Sequence, residues 1–329
     1  MRLHSLIAKV RAKGIRGTLS TLKHRLLFGS LFTFFEKLGF HILPVHYYSP
    51  IPDTRELKKY RPQWDKEWSF TGVDFDLEGQ LELVEELAAY RHECEALPPY
   101  AEVRALGLGE GYGELEAHIL HTMVRHLKPK TIIEVGCGIS TFFTTTAASL
   151  NRTLGGSECR IVCVEPYPQP AFRTFADEHG LECIPEPVQN VEMSLFQDLE
   201  HGDILFIDSS HIVKTNSDVP FLYLEVLPKL SDGVVIHIHD IPFPFQTPSP
   251  DHWLFGKHQF WTEAILVHAF LINNSAFRVR LCSSYLHYRA RERLRATYSV
   301  YDPNQHFPSS LWLQKTSPST LARSCCPRR

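Results

Sequence analysis

Three groups of residues in this chain are of kinds that hold a small molecule or move a proton. The first is Glu134-Val135-Gly136-Cys137-Gly138-Ile139-Ser140-Thr141, an acid followed by a G-x-G turn and two hydroxyls. Glycine is required where a backbone turns sharply or approaches a ligand with no Cβ in the way, so Gly136 and Gly138 are expected to lie against a bound molecule. The second is Glu165, placed after the next apolar run. A carboxylate there can accept from both hydroxyls of a ribose, as the acid following the glycine turn does in nucleoside-binding α/β folds. The third is Asp208-Ser209-Ser210-His211 together with His237-Ile238-His239-Asp240. Carboxylates and imidazoles are the side chains of proton transfer.

Two phosphate-binding readings of the glycine turn are excluded. The dinucleotide fingerprint G-x-G-x-x-G needs a third glycine, and Thr141 stands there. A P-loop needs a Lys after its last glycine, and none follows.

The elements that must position these groups are legible as alternating apolar runs and helical patterns. Thr131-Ile132-Ile133-Glu134-Val135 predicts a first strand, and a helix continues from Phe142 to Leu150. Arg160 to Glu165 predicts a second strand, Leu181 to Ile184 a third, and Gly202 to Ile207 a fourth that delivers Asp208 and His211 at its carboxyl end. A helix from about Asp218 to Leu230 leads to a fifth strand, Val234 to Ile241. By alternation His237 and His239 share a face of that strand, with Asp240 at its end. Phe260-Trp261-Thr262-Glu263 opens a helix to about Ile272, Phe277 to Cys282 suits a sixth strand, and Ser310 to Gln314 a last one. Strands alternating with helices, each ending in a polar residue, argue a doubly wound sheet. Open sheets of this kind bind ligands at the carboxyl ends of their strands.

Upstream, the spacing of Leu77, Leu81, Val84, Leu87 and Ala88 predicts an amphipathic helix within Leu77 to Ala96. Gly107 to Gly113 reads as a flexible entry to a helix over Glu114 to Leu127, whose Glu114 and Glu116 favour the positive end of the helix dipole. The expected division is a basic amphipathic helical arm over 1–40, an extended, lid-like segment with a helix over 41–113, the ligand-binding domain over 114–315 and a disordered tail over 316–329. The prolines at 44, 50 and 52 keep the second segment extended.

The 329 residues allow one large α/β domain with an appendage. Hydrophobic content of 43% and charged content of 22% are those of a soluble globular chain. A net charge of −3 gives no reason to expect nucleic acid as a partner. Charge is uneven, however: Arg2, Lys9, Arg11, Lys13, Arg16, Lys23, Arg25 and Lys37 stand against Glu36 alone in the first forty residues. That arm could contact an anionic membrane surface peripherally or pack as an ordinary helix on the main domain. Its apolar run is far short of a membrane span, and no secretory cleavage site is evident. The eight cysteines form no C-x-x-C pair, which favours free thiols in a reducing cytoplasm. Cys325-Cys326 reads as exposed.

The ordered set E-x-G-x-G-x-S at Glu134 to Ser140, Glu165, D-S-S-H at Asp208 to His211 and H-x-H-D-I at His237 to Ile241 resembles the class I S-adenosylmethionine (SAM) dependent methyltransferases. Within that superfamily the chain is similar to a bacterial group that shares segments like Val45 to Glu56 and Phe260 to Glu263. The resemblance covers roughly residues 39–315. It implies a Rossmann-like seven-stranded sheet with the last strand antiparallel, and SAM as cofactor. It places Glu134, Gly136, Gly138, Ser140, Thr141 and Glu165 around SAM, with Gln189 or Asn190 reading the adenine amino group. Related sugar O-methyltransferases imply a small-molecule or glycan-like acceptor, with Asp208 and His211 as catalytic residues and His211 as the general base. They also imply a divalent cation at Asp208, His239 and Asp240, although His239 replaces an acid of that pattern.

Other readings of the same residues stand beside these. His211 could cap the following helix, Asp208 could accept from backbone amides or contact the methionine end of SAM, and His237 reads as a core histidine. Two alternative functions remain open: a non-catalytic SAM-fold module at a membrane surface, and a metal-dependent hydroxylase or hydrolase using Asp208, His211, His239 and Asp240.

Overall fold

The computed structural model describes residues 29–317. The basic stretch before residue 29, the expected tail after 317 and Cys325-Cys326 lie outside the described residues. The chain divides into two compact units, Met1–Trp64 and Asp65–Arg329. In the first, a helix over Ser30–Lys37 is followed by an extended stretch and a short helix over Thr54–Lys59. Asp53 caps the short helix by accepting from the Arg55 backbone N–H at 2.9 Å. None of the described residues of this unit is fully buried, and Tyr47 and Tyr48 are almost wholly exposed. Asp65 onward belongs to the compact unit that carries the sheet.

Seven strands make one sheet: β1 (Thr131–Val135), β2 (Arg160–Val164), β3 (Glu182–Ile184), β4 (Ile204–Ile207), β5 (Val235–Ile238), β6 (Phe277–Cys282) and β7 (Leu311–Lys315). The spatial order is β3-β2-β1-β4-β5-β7-β6. Neighbours from β3 to β5 are parallel, and β7 runs antiparallel to both β5 and β6. This is the Rossmann-like methyltransferase arrangement that the resemblance implied. The order reverses at β1, so the carboxyl ends of β1 and β4 diverge there and open the crevice that such sheets use for ligands.

Strand residues alternate between two apolar layers, as expected for a sheet covered on both faces. Ile132, Ile161, Cys163, Ile204, Phe206 and Val235 enter one layer. Ile133, Val135, Val162, Leu205, Ile207 and Ile236 enter the other. The first layer is closed by the helices α2 (Glu114–Leu127) and α3 (Ile139–Thr153), the second by the helical stretch 218–229 and by α4 (Glu263–Leu271).

Helix α1 (Leu77–Leu87) ends earlier than its spacing predicts and passes through a tighter turn, Ala88–Tyr90, into a separate short helix, Arg91–Glu95. Its buried Gln80 accepts from the Cys282 backbone N–H at 2.7 Å, tying α1 to the end of β6. The stretch 218–229 is helical as expected, but its middle, Leu222–Val226, is wound as a π-helix. Insertions of this kind re-aim side chains near functional sites; here the stretch carries Tyr223 inward.

Candidate functional site

Building upward from β1, Val135 is followed by Gly136 at φ +85°, where the chain must turn over the end of β4. A Cβ on Gly136 would stand 1.7 Å from the Asp208 carbonyl oxygen, so no other residue fits. Gly138 is different. Its φ of 178° is extended backbone open to any residue, and what covers it is Gly109, whose own Cβ would lie 3.1 Å from the Gly138 Cα. The loop Gly107 to Gly113 is thus packed onto the glycine turn, with Leu108 and Tyr112 buried, rather than a free entry to α2.

Glu134 is fully buried beneath the turn. Its Oε1 accepts from the Ser140 hydroxyl, while Oε2 is buried and has no hydrogen-bond partner among the described residues. Burial outweighs the Ser140 and Thr141 hydrogen bonds and pushes its carboxyl up to about 8. The Thr141 hydroxyl accepts from the Gly138 N–H at 3.3 Å. Ser140 and Thr141 therefore shape the turn and its acid from behind. Cys137 is directed back to the Glu134 carbonyl at 3.2 Å, and burial raises its thiol, which makes it a filler rather than a nucleophile.

At the carboxyl ends of β1, β2 and β4 lies a cavity of about 460 Å³. Gly136, Glu165, Tyr167, Gln189, Asp208 and Lys214 are among the residues that line it. Glu165 Oε1 accepts from the Tyr167 N–H at 2.8 Å, which fixes the carboxylate at the cavity wall. Gln189 donates to the Asn216 carbonyl at 3.3 Å. Asn190 is not in this wall: it is exposed and turned to Glu186 at 3.5 Å. Gly138, too, is absent from the lining, so the structure brings together Gly136, Glu165, Gln189 and Asp208 and leaves Gly138 and Asn190 outside.

Beside this cavity, Asp208, His211, His239 and Asp240 converge. His211 Nε2 lies 3.3 Å from Asp208 Oδ1 and 3.5 Å from Asp240 Oδ2. His239 Nδ1 lies 3.3 Å from the same Asp208 oxygen and 3.7 Å from the same Asp240 oxygen. Both His211 (φ +58°) and Asp240 (φ +57°) hold left-handed backbone, which non-glycine residues adopt at a cost and which recurs at functional sites. Burial works against charge on His211, but hydrogen bonds to Asp208 and Glu263 outweigh it and raise the imidazole to about 10. His239 is likewise raised against its burial, by Asp240 and Asp208. Asp208 is held well below the usual carboxylate range: burial opposes this, and the His239 charge and the His211 hydrogen bond prevail.

Two buried carboxylates behind these imidazoles did not stand out in the sequence. Glu263 Oε2 is 2.7 Å from His211 Nδ1, and its Oε1 accepts from the Tyr223 hydroxyl at 2.8 Å. The Thr262 and Glu263 N–H groups both donate to the His211 carbonyl, at 2.9 and 3.1 Å, which ties the loop after β4 to the start of α4; the N-cap of the helix that follows His211 is Ser217. Glu116 Oε2 is 3.3 Å from His239 Nε2 and accepts from Ser310 Oγ at 2.7 Å and the Ser309 N–H at 3.1 Å. The acid assigned to the helix dipole is in fact an anchor for His239. Tyr112 packs on the same ring with centroids 4.6 Å apart. His237, by contrast, is stacked on Trp312 at 4.0 Å and on Phe206 at 4.1 Å, a core residue as expected. Asp218 accepts from both the N–H and the hydroxyl of Ser210, bracing the loop after β4.

Residues 133–241 match a family described as a methyltransferase domain. That stretch contains the glycine turn, Glu165 and the Asp208 to Asp240 cluster. A protein of Archaeoglobus fulgidus, described as uncharacterized, is 29% identical over 170 residues, which cover 49% of this chain and 75% of the relative. Among solved structures, apo CmcI is similar at 13% identity over 62% of this chain and 71% of its own, with a TM-score of 0.37. Coclaurine N-methyltransferase bound to N-methylheliamine and SAH is similar at 14% identity over 80% of this chain and 91% of its own, with a TM-score of 0.34. At that level of likeness neither substrate nor chemistry carries over. No helix among the described residues is long and apolar enough to cross a membrane.

Proposed function

We propose that this chain is a SAM-dependent methyltransferase acting on a hydroxyl of a small-molecule or glycan-like acceptor. The observation that carries the reading is that Gly136, Glu165 and Asp208 line one cavity at the carboxyl ends of β1, β2 and β4, inside the stretch matched to the methyltransferase domain. The residues fit the cofactor. Glu165 presents a fixed carboxylate for the ribose hydroxyls, Gln189 offers amide groups for the adenine, and the unpartnered Glu134 Oε2 is a buried acceptor suited to an ammonium or a bridging water.

SAM supplies an electrophilic methyl on a sulfonium. The protein's part is to align an acceptor oxygen with it and to take the proton that the oxygen loses. His211 is the group positioned for that proton: against its burial, Asp208 and Glu263 hold it as an imidazolium at neutral pH, so it accepts only in the neutral form that is populated as pH rises toward about 10. Glu263 holds its Nδ1, so Nε2 is aimed at the Asp208 and Asp240 oxygens, where an acceptor hydroxyl would dock. Asp208 belongs to both the cavity wall and this cluster, which joins cofactor to chemistry.

Calorimetric titration with SAM tests the reading. Wild-type protein is expected to bind one equivalent, and Glu165→Ala to bind about 10–100-fold more weakly, a hydrogen bond to a charged group being worth about 1.5–3 kcal/mol. Failure of the wild type to bind, or equal affinity in Glu165→Ala, would refute it.

The protonation of Glu134 gives a second test. With its carboxyl raised to about 8, Glu134 carries a proton at pH 7 and is ionised only above pH 8. Pairing it with the SAM ammonium therefore releases a proton at pH 7, and affinity rises from pH 6 toward pH 8 by up to about tenfold per unit. The expected signature is a binding enthalpy that depends on the ionisation enthalpy of the buffer at pH 7. In Glu134→Gln that dependence is expected to vanish; if it persists, another group is the source.

A further inference from the structure

We infer, resting on the methyl-transfer reading, that a pocket beyond the end of β5 seats the acceptor and that this acceptor is an uncharged aromatic alcohol. The pocket has a volume of about 230 Å³ and shares no lining residue with the cofactor cavity. Its walls are the loop 242–250 after β5, the helix Ser283–Arg289 after β6 and the residues 307–309 that lead into β7. Because β7 runs antiparallel to β5 and β6, its entry meets their exits, at the end of the sheet where Asp240 also stands. Ser309, in the pocket wall, donates its hydroxyl to Asp240 Oδ1 at 3.1 Å, and the other oxygen of that carboxylate is 3.5 Å from His211 Nε2. One carboxylate thus separates the pocket wall from the proton acceptor. A molecule seated there with its hydroxyl at the Ser309 end presents that hydroxyl to the cluster.

The lining chooses the class of acceptor. Phe245, Tyr288 and Phe307 supply ring faces, the first two packed on each other with centroids 5.0 Å apart. Four prolines line the same space, which fixes the loop backbone beforehand and leaves little entropy to lose on binding. The Trp68 N–H steadies the loop further by donating to the Pro244 carbonyl at 2.9 Å. Among the described residues, no lysine or arginine lines the pocket, and its one carboxylate is Asp65. His287 is lowered to about 4, by burial first and by Arg291 second, so it too is neutral at pH 7. A carboxylate or phosphate on the acceptor would therefore be desolvated with no cation to pair it. A sugar would bury several hydroxyls, and no amide side chain lines the pocket to receive them, while Ser284 and Ser309 already donate to the Ile241 carbonyl and to Asp240. A flat ring between these faces, with one hydroxyl directed past Ser309, meets each of these conditions.

The test adds 2-naphthol, 2-naphthoate or methyl glucoside to the full chain and follows binding by saturation-transfer NMR and calorimetry, so that no turnover is needed. The naphthol is expected to bind, and the other two to bind about tenfold more weakly or worse. Phe307→Ala, at an exposed position, is expected to weaken the naphthol about 2–10-fold. Thr247→Trp, which fills the pocket, is expected to abolish its binding, with SAM affinity and Tm unchanged in both variants. Failure of the naphthol to bind, tighter binding of the naphthoate or the glucoside, or a naphthol affinity unchanged in either variant would overturn the assignment. SAM bound without the naphthol would sink the acceptor class alone; the naphthol bound without SAM would sink the methyl-transfer reading, and with it the pocket's role as acceptor site.

Discussion

Replacing His211 with asparagine is expected to lower methyl transfer by about 10²–10⁴-fold, the usual contribution of a positioned acid–base group, while SAM affinity is unchanged. Asparagine is the informative substitution because His211 sits at φ +58°, where asparagine is among the few side chains tolerated. The backbone then keeps its conformation, and the carbonyl that receives the α4 N–H groups stays in place. What is lost is the imidazole alone. Because His211 does not line the cofactor cavity, cofactor binding has no reason to follow. The measurement is transfer of labelled methyl from SAM to a hydroxylated acceptor, beside calorimetry with SAM. Glu263→Gln should reproduce part of the loss, since an amide can still hydrogen-bond His211 Nδ1 but carries no charge to support an imidazolium. Full turnover in His211→Asn would remove His211 from the chemistry.

The second large effect is expected at Gly136. Alanine there must adopt φ +85° and place its Cβ 1.7 Å from the Asp208 carbonyl oxygen, a contact that only separation of the β1 and β4 ends can relieve. The left-handed backbone and the overpacking together cost about 2–6 kcal/mol. For a unit of this size that corresponds to a fall in Tm of about 5–20 °C, with SAM binding lost because the cavity floor moves. Gly138→Ala is the control. Its backbone is extended, and the new Cβ would meet the Gly109 Cα at 3.4 Å, an ordinary contact, so stability and SAM affinity should stay near wild type. Thermal unfolding and calorimetry on the two variants decide the matter. Equal behaviour would mean that the G-x-G spacing, and not the approach of β4, dictates the turn.

The contrast between the two glycines shows where local sequence stops being informative. Both looked equivalent as a motif, and the residue that separates them, Asp208, arrives from a different strand. The strands themselves were legible because a sheet covered on both faces imposes unbroken apolar runs ending in polar residues. That pattern alone places Glu134, Glu165, Asp208 and Asp240 at or beside strand ends. Alternation along β5 likewise put His237 and His239 on one face. It could not say that one would be stacked into the core on Trp312 while the other met Glu116.

The sequence by itself determined the doubly wound class, the run of the strands and the acids at their ends, because each follows from short-range periodicity and from residue chemistry. Tertiary structure alone decided that Glu263 reaches His211 from 52 residues away, that Glu116 supports His239, that the Gly107 to Gly113 loop closes over Gly138, and that Asn190 faces out while Gln189 faces in. Those pairings depend on how helices from separate parts of the chain pack across the sheet. Packing of that kind is set by the shape of the whole core, which no local spacing records.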